Sequence, residues 1–560
     1  MGIDNSFIAD QLTMLAGLMD IHGENSFAAK SIAIAAFGID KLPEQLSDVA
    51  PSKLTSIRGI GASVAKKITE LIDTGEIQEL KELIDRTPAG VFEMMQIKGI
   101  GPKKINAIWK EIKIDSVEDL LSACKENKLS VYKGFGAKTQ QNIIEGIEVY
   151  INRQKAFLFA QIESYAHSLN ERLTAWFAKY LISPAGEFNQ HALTIEKLEW
   201  VTTAPLSEIQ KYFSANNFEE IENGNDKIIF KANPENILLC FYLAEQKDFY
   251  ATLFKTNCSE EFLNTWQDKF PFNKNDFSSE EEIFSSAGVQ IIPPFLREKE
   301  YIIKATEENN LPDVIQPADI KAIIHCHSVW SDGSNTIEQL AESAIKKRFE
   351  YLVLSDHSKT AYYANGLTEE RIIAQHIEIE KVNKKLAPFK IFKSIESDIL
   401  NDGSLDYADE VLDTFDIVIA SPHSSLKMNE EKAMQRMIKA IENPYTSIMG
   451  HITGRLLLSR KGLPLDLKKI IDACAANDVV MELNANPRRL DIDWSMIDYC
   501  IKKNVLISID PDAHSLPEFD YVKYGVLAAQ KGGLTKQNNL SSFNLSQFEK
   551  FVVGQKNKLQ

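Results

Sequence analysis

Hydrophobic positions change their period along the chain, and that change divides it. Near the start, DNSFIADQLTMLAGLMDIHG and NSFAAKSIAIAAFGI repeat apolar side chains at three- and four-residue spacing, which predicts helices over residues 4 to 36. Beyond residue 318 the pattern becomes short apolar runs separated by helical segments. Ala322 to Ile324 leads into His325-Cys326-His327. A helix with apolar positions at Leu340, Ala344 and Ile345 is predicted from Ile337 to Lys347, and a second run follows at Tyr351 to Leu354. IFKSIESDI, FDIVIASPH, SIMGHI, VVMELNAN and VLISIDPDAH continue the scheme to seven strand-like runs. Such alternation predicts a parallel α/β barrel. Proline breaks in PPFLREKEYI and NNLPDVIQPADI put its boundary near Pro312 to Pro317.

The ends of these runs carry candidate chemistry. Each delivers a metal-capable side chain near its C-terminal end, where parallel barrels keep their reactive groups. In order these are His325, His327 and Asp332, then His357, Glu396, His423, His451, Glu482 with Asn484, and Asp512 with His514. Alternate residues of a strand share a face, so His325 and His327 are expected to point the same way, with Cys326 packed on the other side. One such histidine is as often a satisfied loop residue as a ligand. Six of the ten in the chain at one barrel mouth, among carboxylates, would repel or desolvate one another without a cation. A donor set rich in imidazole suits Zn, Mn or Fe better than Ca or Mg, and several close ions suit phosphoester hydrolysis. Arg455 and Arg489 follow ligand-bearing runs. They are placed either to hold a phosphate through charge-assisted bonds or to pair with loop carboxylates, and both readings stay open here.

Three glycine turns punctuate the helical N-terminal part. Gly59-Ile60-Gly61, Gly99-Ile100-Gly101 and, more weakly, Gly134-Phe135-Gly136 recur about 35 to 40 residues apart. Such a triplet buries its middle side chain, and the glycines admit a phosphate to the N–H groups of the next helix. Lys66, Lys67, Lys103, Lys104 and Lys138 follow the turns. The device reads a sugar-phosphate backbone without reading bases. The plainer alternative is glycine turns within a helical bundle.

Composition narrows the partners. The net charge of −17 excludes broad, nonspecific polyanion binding, so any nucleic-acid contact is local. No run of eighteen apolar residues predicts a membrane span, and MGIDNSFIADQL has neither the basic region nor the apolar core of a signal peptide. The six cysteines lack CxxC spacing and read as reduced thiols, which points to the cytoplasm.

The motifs HxH with SDG, SDH, IESDI, SPHS, GHITGRLL, ELNANPRRLD and PDAHS resemble those of the PHP (polymerase and histidinol phosphatase) domain over residues 318 to 560. The resemblance implies a distorted seven-stranded barrel and two to three divalent ions. Its ligands would be His325, His327, Asp332, His357, Glu396, His423, His451, Asp512 and His514, with Glu396 bridging two ions. The glycine turns resemble helix-hairpin-helix motifs. Together with DTGEIQEL, KGFGAKTQQNIIEGI and AGVQIIPPFLRE, the order of parts resembles a bacterial family X DNA polymerase over nearly the whole chain.

That resemblance implies a multidomain α and α/β architecture: helical hairpin domains at 1–85 and 86–150, a polymerase palm at 151–240, a thumb-like region and linker at 241–317, and the barrel at 318–560. It aligns Lys67 with a Schiff-base lyase nucleophile and assigns DNA contacts to Gly59, Gly61, Gly99, Gly101, Lys103, Lys104, Gly134 and Gly136. The palm departs from the family. In AGEFNQHALTIEKLEW, Glu187 replaces a serine, Asn189 and Gln190 replace arginines, and Lys197 and Glu199 stand where two Mg²⁺-binding aspartates belong. Lysine cannot ligate Mg²⁺ at neutral pH, so Mg²⁺ and nucleotidyl transfer are expected to be lost there. The implied function is a 3′–5′ exonuclease or end-processing phosphodiesterase in DNA repair, acting on gapped, single-stranded or damaged DNA. The alternatives are an active polymerase with an exonuclease, and a phosphatase of the histidinol phosphatase type.

Overall fold

The computed structural model describes residues 3–42, 44–216, 218–233, 236–272 and 276–558, with the side chains of 152–154 left aside. It consists of two compact units, residues 1–154 and 155–560. Among the described residues no helix is long and apolar enough to cross a membrane.

The first unit is built from helices. Asn5–His22 and Ser26–Ile39 form the predicted pair, opened by Asp4 and Asn25, whose side chains accept from the N–H groups of Phe7 and Ala28. Ile8, Leu12 and Leu15 from the first helix and Ile32 from the second join Ile68, Met94, Leu120 and Ile147 in one core. Gly59, Gly99 and Gly134 take φ of +94°, +98° and +90°, a region that glycine enters without strain. The middle residues of the three turns, Ile60, Ile100 and Phe135, are buried in the same core. Gly61 and Gly101 cap the helices Ala62–Thr74 and Pro102–Asn106, and Gly136 precedes Ala137–Lys155.

The second unit begins with a five-stranded sheet in the order Ile182–Ala185, Lys197–Thr202, Leu238–Leu243, Lys227–Lys231, Glu219–Asn223. Its neighbours are antiparallel except for the central pair, where Glu199 lies level with Cys240. Stacked Phe213 and Phe230, with Phe241, fill its core. A satellite cluster of Phe254, Phe262, Trp266 and Phe284 packs the helices that follow, which open with Glu260, Glu261 and Glu280 where the helix dipole favours acid.

Seven parallel strands then pair in strict chain order: Ala322–Cys326, Tyr351–Leu354, Lys390–Asp398, Ile417–Ser421, Ile448–Met449, Val480–Asn484 and Ile507–Asp510. First and last meet only at the C-terminal rim, where His327 N–H donates to Ala513 O (2.8 Å). Inside, Ala322, Ile324, Val353, Phe392 and Val480 pack on Phe548 and Val552 of the helix Leu545–Asn557, which plugs the lower end. Outside, Ile323, Leu352 and Leu354 face the helices. This is the expected (β/α)7 barrel.

The sheet region is clamped to the barrel. Lys531 is buried, ion-pairs with Glu298 and donates to Gln190 O (2.9 Å), while Lys523 pairs with Glu163 (2.5 Å). Because Phe548 packs on both Tyr351 and Phe392 (4.6 and 4.8 Å between ring centroids), Phe548→Ala should cost about 3–5 kcal/mol in the unfolding transition of the second unit. Chemical denaturation monitored by circular dichroism checks this. A loss below about 1 kcal/mol would mean the helix is not the plug.

Candidate metal centre

The rim is built by residues that leave the regular strand. Strand alternation would turn His325 outward, because Ile323 faces the helices and Ile324 the interior. A bulge between Ile324 and Cys326, with His325 at φ +61°, rotates the imidazole inward instead. The expectation that simple alternation aims both histidines is corrected by this bulge. Cys326 packs outward as expected. His451 (φ +21°) and Asp512 (φ +52°) also hold left-handed backbone, which costs of order 1–3 kcal/mol each and clusters at functional sites. Glu396 needs no such device: Phe392 and Glu396 share the inward parity of a regular strand.

Glu396 is the hub. One of its oxygens lies 2.9 Å from His451 Nε2, 3.1 Å from His423 Nε2 and 3.2 Å from His325 Nε2. The other lies 2.8 Å from His357 Nδ1 and 3.7 Å from His327 Nε2. Asp512 Oδ1 approaches His327 Nε2 to 3.2 Å, and Asp332 Oδ1 stands 3.5 and 3.4 Å from His357 and His514. Three overlapping groups could each hold an ion: His327, Asp332, His357 and His514; His325, His327, Glu396 and Asp512; and His357, Glu396 and His423. All nine residues read as ligands from the sequence therefore converge, eight within these groups and His451 on Glu396.

The donor set fits cations. His325 Nε2, His357 Nδ1 and Glu396 Oε2 are fully buried and make no hydrogen bond, although their neighbours are close. Lone pairs held near one another without a well-directed proton are costly unless a cation accepts them. Burial and neighbouring imidazoles hold His327 at about 3, and burial with Arg489 holds His451 at about 4, so both are neutral and ready to ligate. Burial opposes charge on His423 and His514. Glu396 and Asp398 outweigh it for the first, raising it to about 10, and Asp332 and Asp512 for the second, raising it to about 9.

Outer groups orient these ligands. His325 Nδ1 lies 2.7 Å from Glu482, and His423 Nδ1 is held by Asp398. The sequence reading passed over Asp398, although its place two residues beyond Glu396 on one strand would have found it. Buried Asp356 accepts from Ser328 N–H (2.8 Å) and Gln375 (2.6 Å), fixing the turn that carries Asp332. The two arginines part company. Arg489 Nε stands 3.4 Å from Asp512 on the rim. Arg455 pairs with Asp493 (2.9 Å) and donates to the carbonyls of Arg489 and Leu490, so it braces the loop.

In the central sheet the positions aligned with a palm are occupied by their own side chains. Lys197 Nζ lies 2.7 Å from Glu199 Oε1, and the Tyr242 hydroxyl donates to the same oxygen (2.8 Å). Burial works against the Lys197 charge, but its bond to Glu199 prevails and raises its pKa. Glu199 Oε2 accepts from Glu187 N–H (3.2 Å), and Gly186, at φ +66°, gives it room: a Cβ there would fall 1.8 Å away. Glu187 turns back to accept from Glu196 N–H (2.7 Å), and its burial raises its pKa.

At the glycine turns, Gly59, Gly61, Gly99, Gly101, Gly134 and Gly136 are exposed, and a Cβ on any of them would meet nothing within 4 Å. Lys103 is exposed and Lys104 half-buried. Lys67 is paired with Glu79 and only 13% exposed.

Helix-hairpin-helix domains and a PHP-type barrel whose rim could hold metal ions define the class. Residues 3–77 match a helix-hairpin-helix domain family and residues 91–148 a SAM-like helix-hairpin-helix tandem. The chain is 30% identical over 562 residues to the DNA polymerase/3′-5′ exonuclease PolX of Bacillus subtilis (strain 168), an alignment covering 97% of this chain and 98% of that protein. It belongs to the PolX family. A probable phosphatase of Caldanaerobacter subterraneus subsp. tengcongensis is 26% identical over 171 residues (29% of this chain, 60% of that protein). One of Thermoanaerobacter sp. (strain X514) is 22% identical over 253 residues (42% and 95%).

Metal should compete with protons here. Below pH 9, His423 and His514 carry protons that an ion must displace, so affinity rises as pH climbs from 6 towards about 9 and loading releases protons. Calorimetric Mn²⁺ titrations in buffers of different ionisation enthalpy measure the release, and a proton-neutral titration at pH 7 would contradict it. Elemental analysis should show Glu396→Gln losing more metal than Asp332→Asn, since Glu396 serves two of the three groups.

Proposed function

We propose that this protein is a metal-dependent phosphodiesterase that removes nucleotides from DNA 3′ ends in repair, with nucleotidyl transfer lost from its central sheet. The observation that carries the reading is the contrast between two carboxylates. Glu396 stands among five imidazoles with an oxygen that no hydrogen bond satisfies, whereas Glu199 is already neutralised by Lys197. One site demands cations and the other repels them.

Two to three divalent ions, Zn, Mn or Fe by donor chemistry, would supply a Lewis acid and acidified water at the rim. His325, His327, His357, Glu396, His451 and Asp512 would hold them from the buried side, with His423, Asp332 and His514 nearer solvent. Arg489 keeps a guanidinium beside Asp512, where it can meet a substrate phosphate. Arg455, the other residue expected to bind phosphate, positions that loop. The exonuclease in the name of the Bacillus subtilis relative and the phosphatase names of the shorter relatives support phosphoester hydrolysis. The hairpins favour DNA over a small ester: the open glycine edges and Lys103 and Lys104 offer sugar-phosphate contacts. In this division of labour residues 1–150 hold DNA, 151–317 act as a folded spacer, and 318–560 hydrolyse. The Glu79 partner of Lys67 favours a structural or phosphate-contacting lysine over a lyase nucleophile.

End-labelled single-stranded and gapped DNA incubated with Mn²⁺ should shorten from the 3′ end, His327→Ala should abolish the cleavage, and no dNTP should be incorporated. Primer extension lost on Glu199→Ala would overturn the assignment of the palm. The hairpins admit a separate test. Gly101 has φ −83°, which any residue adopts, so Gly101→Val should fold and act only by blocking approach. It should weaken DNA binding by roughly 1 kcal/mol per lost phosphate contact and flatten the salt dependence, while hydrolysis of a small phosphate ester persists. Parallel loss on both substrates would favour a small-molecule phosphatase.

A further inference from the structure

The loop that follows His357 is tied down at its base and bare at its tip. Leu367 N–H donates to His357 O (2.9 Å). Thr360 Oγ1 donates to Asp398 (2.9 Å), the same carboxylate that holds His423. Asn365 Nδ2 reaches the carbonyls of Trp330 and Ser331 (3.3 and 3.4 Å), beside Asp332. Gly366 permits the closest approach, since a Cβ there would fall 1.9 Å from Ser358 O. Ala361 and Ala364 are buried.

Between these anchors the turn Tyr362–Ala364 leaves Tyr362 86% and Tyr363 74% exposed. Tyr362 is the most exposed large apolar side chain among the described residues. The tip nevertheless belongs to the metal centre. Thr360, two residues before Tyr362, binds the Asp398 carboxylate behind His423, and Asn365, two residues after Tyr363, binds the carbonyls just ahead of Asp332. Two large rings are therefore held in water at the edge of the reactive site by a loop with little freedom to withdraw them.

We propose that Tyr362 and Tyr363 form the stacking platform for the terminal nucleobase of the strand whose phosphodiester lies at the metal centre. This rests on the DNA-hydrolysis reading above. A base is one sugar away from its own phosphate, so an aromatic edge beside a phosphate-cleaving rim is where that base arrives. Every base offers a π-face, so the platform grips any 3′ end without reading sequence, as a nonspecific exonuclease requires. The anchoring limits the entropy lost when the base stacks. A protein partner would also cover exposed tyrosines, but nothing would then tie them to the ligands of the metal centre.

The test uses the full-length protein and an oligonucleotide whose terminal linkage is a phosphorothioate, with 2-aminopurine either at the 3′ end or in mid-strand. Stacking on tyrosine quenches this fluorophore. Wild-type protein should quench the terminal probe and spare the internal one. Y362A/Y363A should lose the difference, and Y363F, which keeps the ring, should retain it. Absence of terminal quenching in wild type, its persistence in the double variant, or a Y363F that behaves like the double variant would each overturn the platform. With hydrolysable DNA, the ratio of cleavage at a base-bearing 3′ end to that at an abasic one should fall about 5- to 150-fold in the double variant. If wild-type protein cleaves no DNA, the phosphodiesterase reading fails, and the quenching result still decides the platform separately.

Discussion

A buried carboxylate surrounded by five imidazoles is the constraint on which the rest of the barrel depends. Glu396 is inaccessible to solvent, and its two oxygens lie within 3.7 Å of histidines drawn from the first, second, fourth and fifth strand ends. No hydrogen-bond pattern satisfies so many lone pairs at once, and protons shared among them would have to be given up to cations. The surrounding architecture supplies what the cluster requires. A bulge turns His325 inward, left-handed backbone at His451 and Asp512 fits their side chains to the rim, and Glu482 and Asp398 fix ring orientation from behind. The apolar interior and the Phe548 plug fill the lower end, opposite the polar rim.

The central sheet shows the opposite solution. There a carboxylate has been given a lysine and a tyrosine as permanent partners, and Gly186 is shaped to fit around it. Removing one member of such a pair leaves an uncompensated buried charge, so its members depend on one another. Through Gln190 and Glu298 this region is also bound to Lys531 of the barrel, so the sheet is built into the molecule.

Much of this was legible in the sequence because its carriers are periodic. The change from helical spacing to short runs announced the barrel, and histidines at the ends of successive runs announced the rim. The nine expected ligands meet because parallel strands in chain order place those ends in one ring. What escaped depends on breaks in periodicity or on distant pairs. The bulge at His325 has no glycine to mark it, and alternation alone would have aimed that ring outward. Arg455 and Arg489 differ only in their three-dimensional neighbours. The Lys531–Glu298 clamp joins residues 233 apart. Tyr362 and Tyr363 look like ordinary loop residues until Gly366 and Thr360 are seen to pin them beside Asp398.

Anomalous diffraction from crystals soaked in Mn²⁺ tests the central claim most directly, because it reads both carboxylate sites in one molecule. Peaks should lie between Glu396 and its histidines, with none beside Glu199, where the Lys197 ammonium already stands 2.7 Å away. An ion at Glu199 with Lys197 displaced, or a rim without any peak, would contradict the account.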